Sequence, residues 1–78
     1  VKDVESRLLD VVASALVVSR SEVRPDSNLA EDLAADSLDM IELAMAIEDE
    51  FGIIVLDGDE QPWKTVGDVQ AYILARKE

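Results

Sequence analysis

A small all-α domain is the fold this sequence predicts, with four helical segments, a long first loop and a short third helix. Apolar residues recur at three- and four-residue intervals before Val17 and again between Ser37 and Phe51, the period of a helix with a buried face. Clusters of turn formers separate these stretches. The one β-branched run, Ile53-Ile54-Val55-Leu56, is short and has no second strand to pair with.

In chain order, Val4, Leu8, Val11, Val12, Ala15 and Leu16 mark an amphipathic helix from Val4 to Leu16. Ser19, Arg20 and Ser21 break the pattern, and Pro25-Asp26-Ser27-Asn28 is a group of turn formers that opens a loop running to about Ala35. Leu29 and Leu33 are expected to anchor that loop to the core. Asp36 is placed as an N-cap, with Asp39 three residues on at the positive end of the helix dipole. The second helix then runs from Ser37 to Phe51 and stops at Gly52. Residues 53 to 56 are expected as a buried connector. Asp57 and Glu60 have capping-box spacing for a short third helix, which Gly58 and Pro62 weaken. Thr65-Val66-Gly67-Asp68 is a second capping box that starts the last helix.

A chain of 78 residues with neither cysteine nor histidine lacks the usual general base, the thiol nucleophile and the common soft metal ligands. An enzyme is not expected, and neither is a dedicated metal site, although the acidic helix leaves weak divalent binding open. Asp57-Gly58-Asp59 begins like a calcium loop, but Pro62 occupies the position of the sharp turn and Asp68 that of the bidentate glutamate. No apolar run is long enough to span a bilayer, and the opening residues lack the order of a signal peptide, so a cytoplasmic single domain over residues 1–78 is expected. The net charge is −11, and residues 25–63 hold twelve acids and no base. Such a one-sign surface steers basic partners inward and repels nucleic acid and anionic lipid, and a monomer is expected. The plainer alternative is that it serves solubility alone.

At 100° per residue the second helix carries two apolar stripes. Met40, Leu43, Ala44, Ile47 and Phe51 form the expected core face. Leu38, Ile41 and Met45 form a separate strip between Glu48 on one flank and Glu42 and Asp49 on the other. Either this strip packs against the first loop or the third helix, or it is an exposed docking surface for partners with an apolar groove and basic residues. Ser37 stands at the positive end of the helix, where a phosphodiester is favoured by the dipole and by free N–H groups.

Asp32-Leu33-Ala34-Ala35-Asp36-Ser37-Leu38-Asp39-Met40, continued by Ile41-Glu42-Leu43 and Glu48-Asp49-Glu50-Phe51-Gly52, resembles the signature of the acyl carrier proteins. The likeness extends over nearly the whole chain. It implies a right-handed four-helix bundle with a short third helix. It also implies that a phosphopantetheinyl transferase attaches 4'-phosphopantetheine to Ser37, between Asp36 and Leu38. Acyl groups then ride on the arm's thiol as thioesters, for fatty-acid, polyketide or related lipid biosynthesis. Leu38, Glu42, Met45 and Glu48 match positions at which the family binds transferases and acyl synthases.

Three departures bear on the cargo. Ala34 stands where the family often has glycine, which stiffens the approach to the serine. Leu56 replaces a common proline, with Gly58 and Pro62 disturbing the short helix. Trp63 stands where a smaller aliphatic residue is usual. Alternatives are an aminoacyl, peptidyl or D-alanyl carrier, against which the Ala34-Ala35-Asp36 approach and the acidic helix speak, or an acidic interaction module without a prosthetic group.

Overall fold

The computed structural model describes residues 3–56 and 58–76. Three α-helices form there: α1 (Val4–Leu16), α2 (Ser37–Phe51) and α3 (Val66–Arg76), with one 3₁₀ turn at Arg20–Glu22 in the first loop. No strand forms among the described residues, and the one β-bridge pairs Asn28 with Thr65.

Local chemistry sets the helix limits. Asp3 caps α1 by accepting from the Ser6 N–H at 2.9 Å. The helix ends at Val17, whose φ of 56° is left-handed, while the Val18 N–H returns to the Ala13 carbonyl at 3.0 Å. Gly52, with φ 67°, ends α2 in the same way without a Cβ penalty. The last turn of α2 contains no base, and Arg7 of α1 supplies one. Its guanidinium donates to the Glu50 carbonyl at 2.6 Å and to Glu50 Oε2 at 3.1 Å, and lies 4.7 Å from the centre of the Phe51 ring.

The core lies where α1 packs on α2 and on α3. Leu8 and Val12 of α1, Leu43 and Ile47 of α2, and Val66, Val69 and Ile73 of α3 are fully buried. Met40 is half-buried against them, so the expected core face of α2 is the observed one. The first loop crosses this core on Leu29, Leu33 and also Val23, a third anchor that the sequence pattern did not single out. Its backbone is stitched to the start of α3: Leu29 N–H to the Lys64 carbonyl at 2.8 Å, Val66 N–H to Ser27 at 3.1 Å and Gly67 N–H to Pro25 at 2.8 Å. Ser27 is buried, and its hydroxyl accepts from the Arg24 N–H and donates to the Glu22 carbonyl.

Two expectations are corrected. The short third helix does not form among the described residues. From Gly58 to Pro62 the chain makes successive turns closed by Asp59 N–H to Leu56, Gln61 N–H to Gly58 and Trp63 N–H to Glu60. Gly58 has φ 90°, outside the helical region, and Pro62 has no N–H to continue a ladder. Asp57, the first residue of both the expected capping box and the calcium-like loop, lies outside the described residues. The connector is not buried throughout: Val55 is buried and Ile53 half-buried, whereas Ile54 and Leu56 are exposed. An extended strap turns alternate side chains inward, so only one side of it reaches the core.

Candidate functional site

Ser37 is exposed as the first residue of α2. The turn before it is a true capping box: the Asp39 N–H donates to Asp36 Oδ1 at 2.9 Å, and the Asp36 N–H donates to Asp39 Oδ2 at 3.1 Å. These bonds leave the N–H groups of Ser37 and Leu38 without an acceptor among the described residues, at the positive end of the helix.

A small knot of loop presents this helix start. Asn28 Oδ1 accepts from the N–H groups of Ala30 and Glu31 at 3.0 and 2.8 Å, and the Asn28 N–H donates to Asp32 Oδ2 at 2.8 Å. The Ala35 N–H bonds the Leu29 carbonyl at 2.9 Å. Ala34 has a left-handed φ of 59°, the geometry in which glycine is favoured. The Asn28–Asp32 pair was not foreseen, although an Asn in a turn cluster followed by an Asp is the usual sign of such a closure.

Beside Ser37 opens a groove of about 770 Å³ between the first loop, the start of α2 and residues 60–64. Leu29, Met40 and Trp63 give it an apolar floor, and Ser37 lies on its margin. The hydroxyl, the two free N–H groups and this space together fit a serine-linked phosphodiester arm.

Along α2, Leu38, Ile41 and Met45 are 62%, 48% and 59% exposed, so the second stripe is not covered by the loop or by residues 58–62. Exposed Leu56 continues it, sharing a cleft of about 280 Å³ with Ile41 and Met45. Leu56 was missed as a surface residue because the run containing it was expected to be buried.

The flanking acids differ in their commitments. Glu42 is exposed. Asp49 is exposed toward α1, where it lines a cleft with Arg7 and Ser14. Glu48 is half-buried, and its Oε2 accepts the Val55 N–H at 2.8 Å, so it also supports the strap. Among the described residues no group of three or more acids converges as a metal site. Of the twelve acids between residues 25 and 63, those in ion pairs among the described residues are Glu50, with Arg7, and Asp59, with Arg76.

Comparison with known proteins shows the family. Residues 6–73 match the family described as phosphopantetheine attachment site. An acyl carrier protein of Helicobacter hepaticus is 51% identical over 67 residues, covering 86% of this chain and 88% of that protein. One from Nitratidesulfovibrio vulgaris is 47% identical over 70 residues, covering 90% and 92%.

Proposed function

Since this chain belongs to the acyl carrier proteins, non-enzymatic proteins that bear a covalent 4'-phosphopantetheine, we propose that Ser37 is its attachment point and that it serves fatty-acid or a related lipid biosynthesis. The observation that carries the assignment is the position of Ser37. Its exposed hydroxyl stands at an α-helix start with two unpaired N–H groups, between an apolar groove and an exposed apolar strip.

The arm ends in a thiol, which holds acyl groups as thioesters. The protein's own residues do the rest. The Ser37 hydroxyl provides the oxygen of the phosphodiester, and the N–H groups of Ser37 and Leu38 face the charge that the phosphodiester brings. Asp36 and Asp39 hold the helix start in place through their reciprocal bonds.

Phosphopantetheinyl transferase and acyl-handling enzymes are the partners that membership of the family implies. We place their docking on Leu38, Ile41 and Met45, with Glu42, Glu48 and Asp49 steering basic surfaces toward that strip. A net charge of −11 supports a monomer, because copies of the chain repel one another. No helix among the described residues is long and apolar enough to cross a membrane. We propose the cytoplasm as the site of action. Mass spectrometry of the protein from its own cells tests the reading by revealing arm and cargo together. Aminoacyl or peptidyl cargo in place of acyl chains would overturn the assignment to lipid synthesis.

A further inference from the structure

We infer that Trp63 sets the cargo of this carrier: a short acyl group lies in the open groove against the indole, and the ring bars longer chains from the core. This rests on the proposal that Ser37 bears the arm.

Ser37 and Trp63 line the same groove of about 770 Å³. A group tethered on the margin is confined near the floor at an effective concentration of order millimolar, so even a weak apolar contact is occupied much of the time. The floor is firm. Trp63 is 6% exposed and meets Tyr72 edge-on, with ring centres 5.4 Å apart and planes at 72°. Tyr72 is itself fixed, its hydroxyl donating to Asp59 Oδ2 at 2.7 Å. Arg76 lies 4.1 Å from the centre of the Tyr72 ring and bonds the same carboxylate at 3.3 Å. The indole is therefore braced from behind by three residues.

Leu29 and, deeper in the core, Leu43, Val69 and Ile73 are almost wholly buried. The groove is lined by Leu29 and Trp63 but by none of Leu43, Val69 and Ile73, so a long chain reaching them has to part this packed floor, where Trp63 meets Tyr72. A short acyl group needs no such movement, since the groove already offers Leu29, Met40 and the indole as apolar contacts.

Trp63 is the single tryptophan of the chain, so it reports on its own contacts. The test loads the full chain from a series of acyl-coenzyme A donors of rising length, checks each product by mass, and records tryptophan emission and thermal melting. Loading even the shortest acyl group is expected to shift the Trp63 emission relative to the arm bearing a free thiol. The gain in melting temperature is expected to level off among the short members. In Trp63→Leu, and in the milder Trp63→Phe, the gain is expected to continue rising with length. A loaded wild-type chain whose melting temperature climbs steadily to the longest acyl group, or whose emission ignores the cargo, overturns this inference alone. A chain that takes no mass at Ser37 overturns the attachment assignment and this inference with it.

Discussion

The main-chain N–H of Val55 donates to Glu48 Oε2 over 2.8 Å, tying the strap after α2 to the flank of the exposed apolar strip. Glu48 thus joins two tasks, holding Val55 inward and presenting charge beside Met45. Glu48→Ala leaves a buried N–H unpaired, and a loss of about 1–3 kcal/mol in urea unfolding is expected. Glu48→Gln keeps an acceptor oxygen and is expected to stay within about 1 kcal/mol of the parent. Equal losses in both variants would mean that charge, and not the bond to Val55, is what matters there.

Met45 and Glu42 are exposed, so changing them separates recognition from folding. Met45→Ser is expected to alter stability by no more than about 0.5 kcal/mol while slowing modification by the transferase. Glu42→Lys is expected to act mainly on the association rate, and the parent's association is expected to weaken as salt rises. Stopped-flow binding at two ionic strengths reads both effects. A salt-independent rate would remove steering from the account.

Two non-glycine residues hold left-handed backbone, Val17 with φ 56° and Ala34 with φ 59°. Such a conformation costs an L-residue roughly 1–2 kcal/mol, most for a β-branched one. Val17→Gly is expected to stabilise the domain by about 1 kcal/mol, and Ala34→Gly by less, because added chain entropy offsets part of the relief. Thermal melts check the order, and a loss in both variants would contradict it.

The helix limits were largely legible in the sequence. The limits of α1 follow from periodicity, and those of α2 from periodicity and capping, because Asp36, Asp39 and Gly52 act through bonds between near neighbours. Leu29 and Leu33 were legible as the loop's anchors, and Leu38, Ile41 and Met45 as a stripe apart from the core. The turns from Gly58 to Pro62 were not, since a capping-box spacing says nothing of whether the intervening backbone can stay helical. Nor was the outward face of Ile54 and Leu56, which depends on the strap being extended. The bond from Val55 to Glu48 and the brace of Tyr72 on Trp63 link side chains whose meeting depends on tertiary packing. No local pattern announces them.

Acid is expected to loosen the start of α3. The N–H groups of Lys64 and Thr65 donate to Asp68 Oδ2 at 2.9 and 3.1 Å and hold its carboxyl below the ordinary aspartate value of 3.8. A folded pKa below the unfolded one means that the unfolded chain takes up the proton first. The stabilisation is therefore complete well above pH 3.8 and is lost as the pH falls through the folded value. Asp68→Asn is expected to melt lower at neutral pH, with the gap to the parent narrowing in acid. A gap that widens as the pH falls would contradict the assignment.

The most direct test of the central proposal is the intact mass of parent and Ser37→Ala after incubation with coenzyme A and a broad-specificity phosphopantetheinyl transferase. Ser37 is exposed, and Asp36 and Asp39 cap the helix without it, so Ser37→Ala is expected to keep its helical circular dichroism. The parent is expected to gain one phosphopantetheinyl mass and the variant none. A folded Ser37→Ala that still gains the mass would place the arm on another residue and contradict the proposal.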